Sequence, residues 1–193
     1  SAPEWDPIIG KIKNTKLMDP TSPVQVMFVP SYLNGVDGIF DKDYYELLCG
    51  MDVTVFPSYY EPWGYTPLES VAFSVPTITT SLAGFGLWVA EHCKEHKGVE
   101  GIDRNDANDS EAVTEIASSI EKFCNMSAKE YASYQESALK TSEIALWENL
   151  YAYYAHAYDV ALARMTERSS GFKYEGGGDQ NEQINFVRQQ LVS

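Results

Sequence analysis

Pro57-Ser58-Tyr59-Tyr60-Glu61-Pro62-Trp63-Gly64-Tyr65-Thr66-Pro67-Leu68-Glu69 joins a β-branched run, Val53-Thr54-Val55-Phe56, to an apolar-faced segment over residues 66–74. A strand stopped by Pro57, a loop with a central glycine and a helix opening at Thr66 form the first half of a βαβ unit. Pro76-Thr77-Ile78-Thr79-Thr80 completes the unit as the next strand. Upstream, Val24-Gln25-Val26-Met27-Phe28-Val29 reads as a buried strand ended by Pro30. Residues 41–50 read as a short helix with Tyr44, Leu47 and Leu48 on one side. Each helix falls between two strands, the rhythm of a parallel sheet with covered faces. The expected class is α/β, a Rossmann-like parallel sheet followed by a helical C-terminal part.

After Gly84-Phe85-Gly86 the pattern turns mostly helical. Residues 87–96 predict a short helix and 99–102 an edge strand. Val113, Ile116, Ala117, Ile120, Phe123 and Cys124 recur at helical spacing behind the capping signal Asn108-x-x-Glu111. Another helix opens at Ser127-x-x-Glu130 and runs to about residue 145. The last starts near Trp147, ends near Arg168 and carries the stripe Trp147, Leu150, Tyr151, Tyr154, Tyr158, Leu162, Met165. From Ser169, with Gly176-Gly177-Gly178, the chain reads as a flexible tail. The expected divisions are an irregular lead-in over 1–23, a Rossmann-like domain with its helices over 24–168, and the tail over 169–193.

A length of 193 residues allows one domain with a small excess. Hydrophobic residues at 44% against 22% charged supply a real core. The 14 Lys and Arg face 28 Asp and Glu, a net charge of -14, which argues against nucleic acid or an anionic membrane as partner. No apolar run approaches the roughly 18 residues of a membrane-spanning helix. Ser1-Ala2-Pro3-Glu4 carries no signal-peptide pattern, and a chain that does not open on Met reads as processed or trimmed. Three cysteines make no disulfide framework, so a reducing, cytoplasmic compartment is expected. Cys49 and Cys124 fall on apolar helix faces and read as core packing. His92, Cys93 and His96 contain a His-x3-His spacing that can bind zinc. No third ligand stands at a sensible distance, a solvated helix end fits better, and no metal is expected.

The loop between residues 57 and 69 carries the chemistry. In open parallel sheets, ligands bind beyond the carboxyl ends of the strands. Thr66 suits an N-cap and Pro67 the first helical position. Gly64 admits a close backbone approach, and the amides of Gly64, Tyr65 and Thr66 lie at the positive end of the helix, where a phosphate is held without a basic side chain. Glu61 and Glu69 flank this loop with seven residues between them. Thr66-x-x-Glu69 fits a capping box as well as a ligand contact, and the spacing leaves both open. Glu61, beside Pro62, Trp63 and Gly64, serves neither helix nor strand. Paired carboxylates can do acid/base work, but nothing in the spacing fixes their separation. The residues alone lead to a nucleotide or sugar site.

The run 56–69, followed by Pro76-Thr77-Ile78-Thr79-Thr80-Ser81-Leu82-Ala83-Gly84-Phe85-Gly86, resembles the glycogen synthase family of the animal and fungal type. It contains the E-x7-E signature of retaining GT-B glycosyltransferases. Trp63-Gly64-Tyr65-Thr66-Pro67 is more specific than that signature. The resemblance extends upstream through Phe28-x-Pro30 and Asp43-Tyr44 and downstream to Leu146-Trp147 and Tyr153-Tyr154, over roughly residues 24–175. A bacterial member is expected. The fold implied is one half of a GT-B enzyme.

By position, the resemblance implies that Glu61 lies against the donor glucose and supports the positive charge developing at the anomeric carbon. It implies that Glu69 binds the ribose hydroxyls, that Gly64, Tyr65 and Thr66 hold the diphosphate, that Tyr44 stacks on the base and that Trp63 shapes the sugar pocket. The implied substrates are UDP-glucose or ADP-glucose and an α-1,4-glucan, with retention, no metal and no cofactor. Such enzymes have two Rossmann-like domains and an Arg/Lys segment that neutralises the diphosphate. Residues 1–30 match neither, so the chain reads as a C-terminal fragment that lacks activity alone. The helix over 128–145 holds Lys129 and Lys140 but no Arg, so the family's arginine cluster for a sugar-phosphate activator is expected to be absent. Ser81 and Ala83 replace the more usual Asn and Ser. The last helix would cross back onto the missing domain, leaving its stripe to support self-association. The alternatives are another E-x7-E transferase, such as a sucrose-synthase-like enzyme, or a nucleotide- or glucan-binding module without catalysis.

Overall fold

In the computed structural model, residues 6–171 are described, apart from residues 16, 18 and 96 and the side chains of 166, 167 and 169–171. Among the described residues the sheet has three parallel strands in the order β1-β2-β3: β1 (Thr54–Val55), β2 (Thr77–Thr80) and β3 (Val99–Ile102). Thr54 pairs with Thr77, and Thr77 to Thr80 pair with Val99 to Ile102 in register. All four residues of β2 are buried, as expected of a central strand covered on both faces. β3 stands at an edge, as its sequence predicts.

Alternation along the strands separates two cores. Ile78 and Ile102 face one side with Ala112 and the partly buried Val53, Val55, Ile116 and Phe123. On the other side Val71, Phe85, Val89, Cys93 and Ala138 form the second core, with Trp63, Leu68, Trp88 and Val99 against it. α3 (Tyr65–Ala72) connects β1 to β2, and α4 (Gly84–His92) connects β2 to β3. α5 (Asp109–Cys124) and α6 (Ala128–Ile144) follow β3, and Ser127 caps α6 by accepting from the Glu130 amide at 3.2 Å. α6 lies so close to the sheet that a Cβ on Gly98 would overlap the Ala138 backbone.

The mixed α/β fold with a parallel sheet agrees with the expected Rossmann-like class. Several local readings need correction. Residues 24–29 form no strand: Val24, Val26 and Met27 are exposed, and no described segment offers the segment a ladder partner. The lead-in contains a helix, α1 (Pro7–Asn14), because Asp6 accepts from the Ile8 amide at 2.8 Å and Pro7 takes the first turn. The helix read over 41–50 shortens to α2 (Tyr44–Leu48), opened by a capping box between Asp43 and Glu46. α4 begins at Gly84 rather than at residue 87.

α5 has the expected period, and Ile116 and Phe123 pack on the core as expected, but the most buried positions fall one residue before Val113 and Ile120. Ala112 and Ser119 are buried and Val113 and Ile120 exposed. Its expected capping box is absent, since the Asn108 side chain serves the preceding turn, accepting from the Asn105 amide at 2.7 Å. Cys49 and Cys124 are exposed at helix ends rather than packed in the core, whereas Cys93 is buried.

The chain divides into two compact units, Ser1–Ala145 and Leu146–Ser193. The second contains α7 (Trp147–Gly171), which runs through Ser169 and Ser170, residues assigned to the tail by sequence. Trp147, Tyr151, Tyr154, Tyr158, Leu162 and Met165 are all exposed on it, and the rings of Trp147 and Tyr154 lie 5.0 Å apart. The rest of the expected tail, 172–193, lies outside the described residues. Among the described residues, no helix is long and apolar enough to cross a membrane.

Candidate functional site

The loop after β1 is closed onto the end of β2 by backbone bonds. Glu61 forms a parallel bridge with Ala83, donating its N–H to the Leu82 carbonyl at 3.1 Å. Gly84 returns a bond to the Glu61 carbonyl at 3.0 Å, and the Phe85 amide donates to Trp63. These bonds carry the pairing of β1 and β2 past the strand ends, so Glu61 sits at the carboxyl edge of the sheet, half-buried. Its carboxylate takes no hydrogen bond from a described side chain. Ala83 is fully buried in this seam. Ser81 joins the ends of β2 and β3 by accepting from the Arg104 amide at 2.9 Å.

Gly64, not Thr66, is the N-cap of α3. Its φ of 105° lies in the left-handed region that glycine favours, and it turns the chain straight into the helix. A Cβ there would meet Pro67 Cγ at 3.1 Å and Glu61 Cγ at 3.5 Å. Pro67 thus occupies the third helical position, still within the first turn, where a missing N–H costs no bond. Among the described residues no side chain caps the helix, so of the two readings left open for Thr66-x-x-Glu69 the capping box does not form. Tyr65 and Thr66 are exposed at this end. An uncapped helix start, with its amides and dipole, is chemically suited to an oxyanion.

Glu69 has a different partner. The Tyr45 hydroxyl, 24 residues upstream, donates to its Oε1 at 2.9 Å. Tyr45 stacks on Phe73 with centroids 5.4 Å apart, and Tyr44 meets Tyr45 edge-on at 5.4 Å. Burial, followed by the Glu69 charge, pushes the Tyr44 hydroxyl above its ordinary value. Tyr44, Tyr45 and Glu69 therefore form one cluster joining α2 to α3. Trp63 is half-buried, its ring 5.9 Å from those of both Phe85 and Trp88. It packs the base of the loop against α4.

Of the residues weighed as a zinc-like spacing or a solvated helix end, His92 is exposed and Cys93 is buried. His92 stacks on Trp88 at 5.4 Å with Nδ1 2.9 Å from the Trp88 carbonyl, while burial raises the Cys93 thiol. His96 lies outside the described residues. Among the described residues, no group of three or more His, Cys, Asp and Glu side chains could hold a metal ion.

A family model for glycogen synthase matches residues 2–190. The glycogen [starch] synthase of Caenorhabditis elegans is 36% identical over 163 residues, covering 83% of this chain and 24% of that protein. Isoform 1 from Saccharomyces cerevisiae is 33% identical over 165 residues, 82% of this chain and 23% of its own length. The liver form of Homo sapiens is 32% identical over 162 residues, with 82% of this chain and 23% of that protein covered. The chain belongs to the glycogen synthase family. It spans about a quarter of the length of the curated relatives it matches.

Within this glycogen synthase family member, two side chains at the site were not legible from spacing. One is Tyr45, whose only sequence signal is its place beside Tyr44 behind the Asp43–Glu46 cap. The other is Arg104, buried under the loop that leads to Glu61. The Tyr45 contact has a pH signature. The hydrogen bond to Glu69, then that carboxylate's charge, raises the hydroxyl above its ordinary 10.0. The stabilisation from the contact is therefore complete below 10.0 and is lost as pH rises through the raised value. Tyr45→Phe keeps the stacking on Phe73 and removes the bond. Its melting temperature is expected below wild type in neutral buffer, with the gap closing in the alkaline range. A gap that persists unchanged at high pH would remove this contact as its cause.

Proposed function

We propose that the chain is the donor-binding part of a glycogen (starch) synthase that transfers glucose from a nucleotide-glucose to the non-reducing end of an α-1,4-glucan with retention. The observation that carries this reading is the seam at the carboxyl edge of the sheet. In a glycogen synthase family member, Glu61 is fixed there by backbone bonds beside the uncapped start of α3. In this proposal the diphosphate lies on the amides of Gly64, Tyr65 and Thr66, neutralised in part by the helix end. Tyr44 stacks on the base, and Glu69, held by Tyr45, accepts from the ribose hydroxyls. Trp63 supports the floor of the sugar pocket. Glu61 lies against the glucose and stabilises positive charge at the anomeric carbon as the bond to phosphate lengthens, with no metal or cofactor taking part.

The proposal assigns the remaining cationic groups and the acceptor-side Rossmann-like domain to the larger enzyme, so this chain alone is inactive. Its three free cysteines and its charge suit a reducing, cytoplasmic setting. Calorimetric titration of the full-length enzyme with UDP-glucose and with ADP-glucose, paired with glucosyl transfer to glycogen, tests the reading. One donor is expected to bind saturably and to be turned over with retained configuration. Binding without transfer would favour a non-catalytic module, and no binding of either donor would overturn the proposal.

A further inference from the structure

Arg104 follows β3 at the carboxyl edge of the sheet, and its side chain is only 8% accessible. A cation buried this far needs partners. Nη1 donates to the Pro57 carbonyl at 2.7 Å, and Nη2 donates to Asp109 Oδ1 at 3.1 Å. The guanidinium carbon lies 3.5 Å from the centroid of the Tyr59 ring. The Tyr59 hydroxyl donates to the same Asp109 carboxylate, at 3.0 and 3.2 Å to its two oxygens. Arg104, Tyr59, Asp109 and the Pro57 carbonyl thus form a closed clamp in which Arg104 reaches back 47 residues to Pro57. A planar fork that bonds in its plane and stacks on its face is specific to arginine.

We propose that Arg104 is a positioning residue for Glu61. The seam to Leu82, Ala83 and Gly84 fixes Glu61 on its downstream side. Upstream, the Arg104 clamp on Pro57 and Tyr59, with Thr80 Oγ1 donating to the Ser58 carbonyl at 2.8 Å, fixes the approach. Glu61 is held only while both sides are. Stability alone explains this arginine poorly. Its ion-pair partner Asp109 is exposed, and a pair open to water on one side adds little to stability, while Arg104 Nε is buried without a partner among the described residues. Placement of the loop gives the residue a reason.

This inference rests on the role given to Glu61 above, and its test keeps the two apart. In the full-length enzyme, Arg104→Lys retains the charge but loses the fork and the stacking. It is expected to lower kcat by about 10²-fold, the scale of a displacement near 1 Å at a reacting group, with KM for the donor nearly unchanged. Ethylguanidinium added to Arg104→Ala is expected to restore part of kcat. Hydrogen exchange at the Ser58 and Glu61 amides is expected to quicken, with Thr79 and Ile102 unchanged. Tyr59→Leu, on an exposed side chain, is expected to shift the same amides to a smaller degree.

Wild-type kcat and wild-type exchange in Arg104→Lys would overturn the inference. So would a loss of activity that ethylguanidinium leaves untouched and that follows the melting temperature. A wild-type enzyme without glucosyl transfer would count against the proposed function alone. The exchange of Ser58 and Glu61 in the variants then decides the clamp by itself, unchanged rates overturning it.

Discussion

Glu61→Ala in the full-length enzyme is expected to lower kcat by about 10²–10³-fold while leaving the melting temperature within the range of a neutral surface change. The two halves of this expectation have separate physical causes. In the proposed reaction, the kinetic loss follows from a carboxylate placed against a carbon that becomes positive only in the transition state. Such an interaction stabilises the transition state more than the bound donor, so its removal appears in kcat rather than in KM. The unchanged stability follows from how Glu61 is held. Its contacts to Leu82, Ala83 and Gly84 are made by its backbone, which alanine reproduces. The side chain takes no hydrogen bond from a described side chain, so its removal strands no buried partner. Turnover at the wild-type rate would remove Glu61 from the chemistry. A drop in kcat matched by a large drop in melting temperature would assign it to the fold.

Much of the sheet was legible in the sequence, for reasons visible in single residues. Thr77 to Thr80 carry β-branched side chains between Pro76 and the turn at Ser81, and a fully buried parallel strand needs little more. β3 was placed to the residue. The segment Val24 to Val29 shows the limit. Its composition suits a strand as well as that of β2 does, but a strand is a relation between two segments and needs a ladder partner. In α5 the period was readable and the phase was not. The helix turns small Ala112 and Ser119 inward beside Ile116 and Phe123, whereas hydrophobicity alone also points to Val113 and Ile120.

The site divides in the same way. Glu61 and Glu69 stand out as candidates because their spacing is a local property of one loop. Whether Glu69 caps its own helix was undecidable from Thr66-x-x-Glu69, since the backbone angle of Gly64 settles where the helix starts. Tyr45 and Arg104 act across 24 and 47 residues, with no periodicity or motif to link them to the loop. Their roles come from tertiary packing, which no window along the chain contains.

Gly84→Ala is expected to be among the most damaging single-methyl additions to this chain. Gly84 is the first residue of α4, and its backbone is not in the left-handed region, so conformational strain is not the cause. The cause is space. An added Cβ would fall on the Pro62 carbonyl oxygen, with the Pro62 carbonyl carbon at 3.1 Å and Trp63 Cα at 3.2 Å. All three are backbone atoms, which cannot swing aside as a side-chain tip can. Relief requires the Pro62–Trp63 segment to lift away from α4. That movement breaks the bonds from Gly84 to Glu61 and from Phe85 to Trp63 and tilts Trp63 off Phe85. Overpacking of this kind costs about 1–3 kcal/mol, and each hydrogen bond lost adds about 1 kcal/mol. The sum, about 3–5 kcal/mol, corresponds to a fall in melting temperature on the order of 10 °C for a domain of this size. Because the same bonds fix Glu61, glucosyl transfer should fall with it. Gly101→Ala in β3 is the matched control, since its Cβ would meet nothing nearer than the Gly86 carbonyl oxygen at 3.9 Å. There the methyl should be neutral, or stabilising by up to about 1 kcal/mol. Equal melting temperatures for the two variants would show that the loop yields at Pro62 without cost, and the seam could then not be what holds Glu61 in place.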